Sequence, residues 1–507
     1  MSFGNRLVRF TDRLAAWLRW EAGLISGEAR ADRQHNPRSV PPTGMLVLIA
    51  FLYQAVSGGL LLLYYQPSVY PTLTSCGQPL GSLSSAPAAW CSTYYILHSV
   101  PMGGVLLSSH LYGAYALVAL LFVHLFRGLY VGAYKLPGGK VGWYAGMLLL
   151  LATLGMGFTG YLLAYTQLSY NATEVSITLL QALPGIGPPL AALVLGDGTP
   201  QGMLSRMFAL HVVLLPGAIV VLVFLHKRTT LFPSAFVRGA KWGLLYVGVL
   251  LAVASAWLWS LPSYSGASGG TPAVTTPLWF FLWVFKLVDF VGVSPADVMI
   301  LVTILVILLL LVPFLDRGRF GRLRDRPVWL VVGNSLVGLF VVMTAWGDLE
   351  PGVSASPSSV LVRLAPILAL NAVVVACFHY RYRTVPRDVE SLTLPELPGS
   401  PEASPASPPQ RAATIGPKSE RSGRSPSPTE VTLLGLVAAL FLVPFGLVVP
   451  CLFVAAAFLC ELAELASGRA ASLEAFPRDS ANRWTFPVAG CVTVVGVIVA
   501  LACWVAL

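Results

Sequence analysis

Ten stretches of about twenty apolar residues dominate this chain, near 45–66, 104–131, 141–163, 207–229, 242–261, 296–315, 327–346, 360–380, 432–460 and 486–506. In hydrocarbon, backbone N–H and C=O groups must be satisfied within the protein. A helix of about twenty residues does this while crossing about 30 Å. The expected fold class is therefore all-α, a polytopic membrane protein of about ten spans. Composition agrees, since 56% of the 507 residues are hydrophobic and only 11% are charged. The run from 432 contains Pro444 and Pro450 and reads either as one kinked helix or as a re-entrant pair.

The loops divide by charge. Residues 68–103 and 347–358 hold no Lys or Arg, whereas the connections bearing Lys135 and Lys140, Lys227 and Arg228, Arg238 and Lys241, and Arg317 to Arg326 are basic. The positive-inside rule puts the basic connections and the N-terminus in the cytoplasm of a bacterial-type plasma membrane. Residues 1–44 carry Arg6, Arg9, Arg13 and Arg19 around Leu14, Trp17, Leu18 and Leu24, an interfacial amphipathic pattern. Residues 385–430 are rich in Pro, Ser, Glu and Arg and read as a disordered cytoplasmic linker, followed by further membrane segments at 431–507. The net charge of +10 belongs to this loop pattern and gives no reason to expect nucleic acid.

Four histidines carry the chemistry. His110 and His124 lie fourteen residues apart in one apolar stretch, and His211 and His226 fifteen apart in another. Fourteen helical residues rise about 21 Å in nearly four turns, so each stretch offers one imidazole near each end on roughly one face. Side by side, two such helices make two sandwiches at different depths. Each suits one six-coordinate haem iron held by two imidazoles, a carrier of electrons rather than of gas. Ionisable side chains inside a membrane are costly and are functional candidates by default. The orientation places His110 and His211 near the outer face and His124 and His226 near the inner one. Residues 45–230 thus read as a four-helix bundle holding two b haems.

Glycines repeat at the same interval. Gly44 and Gly58 are fourteen apart in the first span, and Gly146 and Gly160 in the third. A missing side chain lets a porphyrin edge approach the backbone. Small-residue helix packing is the alternative reading of any one such pair. The seven cysteines form no C-x-x-C-H string, so no covalent c-type haem is expected. Cys76 and Cys91 share one loop and would form a disulfide if it faces an oxidising compartment. His35, His98 and His379 read as solvated or interfacial side chains.

At these residues the chain resembles the cytochrome b family, the membrane core of quinol-oxidising Rieske/cytochrome complexes. The strings are QAVSGGLLLLYYQP (54–67), SHLYGAYALVALLFVHLFRGLYVGAYK (109–135), GYLLAYTQLSY (160–170), LSRMFALHVVLLP (204–216), TPLWFFL (276–282) and VPFLD (312–316). The resemblance implies that His110 and His211 bind an outer, low-potential haem and His124 and His226 an inner, high-potential one. It also implies that Arg127 and Arg206 neutralise haem propionates; snorkelling anchors are their alternative role. Residues 231–384 correspond to the family's C-terminal membrane domain. The fifteen-residue spacing and Pro216 resemble the photosynthetic branch, where a proline kink could absorb the extra residue. That branch adds a third haem through a cysteine where this chain has Pro42, so none is expected.

Departures concentrate where protons are handled. The family's Pro-Glu-Trp-Tyr string corresponds here to Pro277, Leu278, Trp279 and Phe280, and Pro-Trp-Gly-Gln to Ala164, Tyr165, Thr166 and Gln167. Near the inner quinone pocket the family's Lys-Asp pair corresponds to Lys241 and Trp242. With leucine in place of the glutamate, the expected proton acceptor is Glu174; the alternative is that it merely begins a short surface helix, where an acid suits the N-terminal dipole. Partial burial would raise its pKa and suit it to act as a base, with Tyr165 as hydrogen-bond partner. Asp289 is the second candidate.

The resemblance implies a quinol:cytochrome c oxidoreductase subunit working by a Q cycle, as a homodimer with a Rieske iron–sulfur protein and a c-type cytochrome or similar acceptor. The alternative is a di-haem anchor passing electrons between quinone and a peripheral dehydrogenase. A transporter or assembly scaffold that keeps haem for structure is a third class. The second set of membrane segments argues against both.

Overall fold

The computed structural model describes residues 43–382, apart from 72–75, 77–85, 136–138, 184, 197, 227–232, 265–275 and 318–325. The N-terminal amphipathic segment, the 385–430 linker and the last two expected spans lie outside the described residues. Among these residues the chain is helical, with only isolated bridges between extended positions. The long helices are α1 (Thr43–Leu62), α3 (Gly103–Val131), α4 (Gly139–Leu163), α9 (Pro233–Ala256), α11 (Pro295–Leu315), α12 (Pro327–Leu349) and α13 (Pro357–Tyr382). One further membrane-length rod runs from Pro200 to His226 as α7 (Pro200–Ala209), a π-turn (Leu210–Leu214) and α8 (Leu215–His226). Shorter helices are α2 (Ala88–His98), α5 (Gln167–Gln181), α6 (Gly187–Leu195) and α10 (Leu282–Val288). Six of the described helices are long and apolar enough to cross a membrane, so the chain is an integral membrane protein.

Helix starts follow local chemistry. Thr166 and Thr199 accept the backbone N–H groups of Ser169 and Gly202, and Ser294 with Asp297 forms a reciprocal capping box ahead of α11. Proline occupies the first turn of α7, α11 and α12, where its missing N–H costs nothing. Helix α3 stops at Gly132, whose φ of 68° is left-handed.

The main core joins Leu46 and Ala50 of α1, Ala116 to Leu120 of α3, Leu250 and Val253 of α9, and Leu278 to Leu282. A second core packs Phe126 and Leu129 of α3 and Trp143 and Met147 of α4 against Val312 of α11 and Val337 and Val341 of α12. The two halves of the chain therefore share apolar interiors. At one end of the bundle a disulfide joins Cys76 to Cys91, tying the first loop to α2. Trp90 of α2 donates to the Pro262 carbonyl, and Ser263 accepts from the Gln167 N–H, which closes that end over the α4–α5 corner. At the other end Asp316 accepts from Tyr134, Lys135 and Arg326, pinning the α3 exit to the connection between α11 and α12.

The fifteen-residue interval on the fourth long rod is not absorbed by a proline kink alone. The Leu215 N–H bonds to the Leu210 carbonyl, one residue beyond the α-helical partner, so the π-turn takes up the extra residue. Pro216 follows immediately and lacks the N–H needed to continue the ladder across the same turn. His226 thereby returns to the face of His211.

Candidate functional site

The four histidines meet in two pairs. The ring centroids of His110 and His211 are 6.4 Å apart, with planes at 79°. Those of His124 and His226 are 6.0 Å apart, at 71°. Two imidazoles that each bind one metal ion at about 2 Å have ring centres roughly 6 Å apart, so each pair fits a single shared iron.

Each Nδ1 is held. His110 Nδ1 is 2.8 Å from Ser57 Oγ, and His124 Nδ1 is 3.0 Å from Thr43 Oγ1. His211 Nδ1 lies 3.1 Å from the Met156 carbonyl and 3.2 Å from Thr159 Oγ1. His226 Nδ1 lies 2.7 Å from the Gly142 carbonyl. A carbonyl accepts only, so in those two histidines the proton sits on Nδ1 and Nε2 is the lone-pair nitrogen. Partners of this kind orient metal-binding imidazoles. The tethers were missed in the sequence, although Thr43 and Ser57 stand fourteen apart and so do Gly142 and Met156.

The repeating glycines lie against the rings. A Cβ built on Gly58 would stand 3.1 Å from His110 Cε1, one on Gly146 3.1 Å from His226 Cε1, and one on Gly160 only 2.5 Å from His211 Cε1. Gly44 adjoins Thr43 on α1 and is half-buried. Arg127 donates to Thr43 Oγ1 at 3.3 Å, which brings its guanidinium to the His124 tether. Arg206 is exposed and donates to the Gly202 carbonyl, in its own helix turn.

Leu278, Glu174, Tyr165 and Asp289 are placed differently from the sequence reading. Leu278, Trp279 and Phe280 are buried in the main core, with Trp279 wholly inaccessible. Three apolar side chains with no carboxylate among them gain most by packing inward. Glu174 is exposed on α5 rather than partly buried, because α5 turns Thr173 inward and leaves its neighbour outside. Tyr165 packs with Ala89 and Leu204 at a left-handed φ of 48°, and no hydrogen bond joins it to Glu174. Burial raises the Tyr165 pKa above its ordinary value. Lys241 lies on α9, and its side chain is outside the described residues.

Asp289 is not a free base. It pairs at 3.2 Å with Lys286, a fully buried lysine whose ammonium also donates to the Glu350 and Val353 carbonyls and lies 4.9 Å from the Trp346 ring centre. Arg363 and Trp346 donate to the Glu350 carboxylate. Burial alone would raise the Glu350 pKa; these bonds and the two cations lower it overall. The signal for this network was a lone lysine in the apolar string LWVFKLV. A small apolar cleft of about 70 Å³ does exist nearby, between α4, α5, α6 and α7, with Phe158, Leu162, Thr173, Ile177, Met203 and Met207 in its wall. Phe158 touches Phe281, and Met207 is one helical turn before His211.

A family model described as cytochrome b (N-terminal)/b6/petB matches residues 115–235, a stretch containing His124, His211 and His226. A second, described as cytochrome b (C-terminal)/b6/petD, matches 267–368. The chain is 33% identical over 185 residues to a menaquinol:cytochrome c reductase cytochrome b subunit of Geobacillus thermodenitrificans, across 36% of this chain and 75% of that one. It is 30% identical over 389 residues to a cytochrome b of Sulfolobus acidocaldarius, across 66% of this chain and 65% of that protein, just under two thirds of its length. A cytochrome bc complex cytochrome b subunit of Chlorobaculum thiosulfatiphilum is 29% identical over 326 residues, across 59% and 72% of the two chains.

Proposed function

The chain belongs to the cytochrome b family, whose members bind haem b, and from that premise we propose that it is the di-haem, quinol-oxidising subunit of a quinol:cytochrome c oxidoreductase. The observation that carries the reading is the double pairing of imidazoles, each with its Nδ1 tethered. His110 and His211 hold one haem and His124 and His226 the other, each through Nε2. Bound there, haem supplies one-electron redox chemistry. Gly58, Gly146 and Gly160 keep the ring edges clear. Arg127 supplies positive charge beside the His124 pair, and Arg206 serves the other end.

The disulfide-bearing end faces outward and the Lys135–Asp316–Arg326 end faces the cytoplasm, following the charge asymmetry of the loops. Quinol is oxidised at the outward end, against the apolar surface that Met207 and Phe158 form there. It loses two electrons and two protons there. One electron leaves to a Rieske iron–sulfur partner and then to a c-type cytochrome or similar acceptor, and the other crosses the chain to a quinone near the inner end. The complex is a homodimer. With Leu278 buried, Glu174 exposed and Asp289 paired, none of the three is assigned the quinol proton.

The test is purification from membranes. Two b haems per chain, both reduced by added quinol, with an iron–sulfur protein co-purifying, is the expected result. A peripheral dehydrogenase in place of the iron–sulfur protein would establish the anchor reading instead. A further expectation concerns Gly160→Ala. Its methyl would collide with the His211 ring, so the variant should lose the His110/His211 haem while Gly146→Ala, with more room, retains most of both. Haem spectra of the two variants check this.

A further inference from the structure

The resemblance implies a lower-potential His110 centre and a higher-potential His124 centre; we infer that Ser57 and Thr43, fourteen residues apart on α1, contribute to that difference through the bond each makes to its histidine. This rests on the di-haem reading. The surroundings of the two centres repeat closely. Each has one histidine tied to a hydroxyl of α1 and one tied to a backbone carbonyl of α4. Among the contacts described, the two hydroxyls are engaged differently.

Ser57 donates its own proton to the Tyr53 carbonyl at 2.8 Å, with the Gln54 carbonyl at 3.3 Å. Its oxygen is therefore committed to accepting from the His110 Nδ1–H at 2.8 Å. Thr159 stands in the same way beside His211, with its proton directed to the Gly155 carbonyl. An acceptor on Nδ1–H makes the imidazole more electron-rich, and so favours the oxidised metal and lowers the potential. Thr43 is engaged oppositely. Its oxygen faces His124 Nδ1 at 3.0 Å and also accepts from Arg127 at 3.3 Å. A guanidinium keeps its charge, draws on the same lone pairs and weakens Thr43 as an acceptor. The nearby positive charge further favours the reduced centre. The short Gly142 bond to His226 acts in the other direction, so the variants are read one at a time.

The experiment is a potentiometric titration of the haem absorption bands in the purified complex. Ser57→Ala should move one wave upward by about tenfold in its reduction equilibrium, about 59 mV for one electron, and leave the other in place. Thr43→Val should move the second wave by a clearly smaller amount. Arg127→Gln should lower that second wave, and in its background Thr43→Val should produce a shift as large as that of Ser57→Ala, the signature of coupling. If Ser57→Ala does not assemble, Ser57→Cys, close in size and a weak acceptor, takes its place with the same expected direction. An unmoved first wave, equal movement of both waves, or a Thr43→Val shift unaffected by Arg127→Gln would overturn the inference. A wild-type complex without two b-type waves would instead refute the di-haem function. Two wild-type waves indifferent to Ser57 would refute only the inference.

Discussion

His226→Ala is expected to lower haem content from about two to about one per chain and to abolish electron transfer across the membrane, with the His110/His211 haem intact. The imidazole is the whole of one side of its centre. Its ring faces His124, and its Nδ1 is fixed on the Gly142 carbonyl at 2.7 Å. Alanine leaves an opening with one ligand, and six-coordinate binding cannot form. The other pair lies about 21 Å further along the same helices and has its own tethers, so it should survive. His124→Ala should behave alike, and His110→Ala or His211→Ala should remove the other haem. Optical spectra and haem extraction check this. Loss of both haems from each single variant, in correctly inserted protein, would overturn the assignment of ligands to two independent centres. Two haems in any one of the four would overturn that ligand.

The second large effect is expected at Asp316. Its carboxylate stands 2.7 Å from Lys135 Nζ and 2.5 Å from Arg326 Nη2, and it accepts from the Tyr134 hydroxyl at 2.6 Å. Arg326 and Asp316 are almost wholly buried, and Arg326 also donates to the Leu129 carbonyl and to Tyr134. Removing one member of a buried ion network costs about 3–5 kcal/mol, because the remaining charge is left uncompensated. Asp316→Ala leaves two cations side by side. The variant should aggregate or lose haem at a markedly lower temperature than the wild type. Heating in detergent, followed by haem absorbance, measures it.

The same carboxylate gives a pH dependence. Burial would raise the Asp316 pKa, but bonds from Lys135 and Tyr134 and the charges of Arg326 and Lys135 outweigh it, so the folded value is below the ordinary one. A depressed carboxylate pKa contributes stability that is complete above the unfolded value, near 4, and is lost as pH falls through the folded value. Wild-type protein should therefore show an acid loss of stability below about pH 4 that Asp316→Asn lacks. Parallel acid titrations of the two would reveal a missing difference.

Most of the membrane architecture was legible in the sequence because hydrocarbon leaves few choices. A run such as VMILVTILVILLLLVPFL satisfies its backbone only as a helix, and α11 covers it. The histidine pairs were legible for the same reason: fourteen residues on a helix return a side chain to nearly the same face. The quinol-pocket residues were not legible. Whether Glu174 or Thr173 turns inward depends on the rotation of α5 against α4, α6 and α7, which only packing fixes. The role of Asp289 depended on Lys286, and that lysine is satisfied by carbonyls more than sixty residues away.

By itself, then, the sequence determined the helices, their apolar length and the interval between the imidazoles on each, because these follow from local backbone geometry and the cost of polar groups in lipid. The tertiary structure alone decided three things. A π-turn rather than Pro216 by itself brings His226 back into register. The Cys76 and Cys91 sulfurs, fifteen residues apart, are joined. Each Nδ1 has a hydroxyl or carbonyl partner from a different helix. The disulfide and the tethers are settled by contact between segments separated in the chain, where the fit of side chains against a neighbour, rather than the preference of any one residue, fixes the lowest free energy.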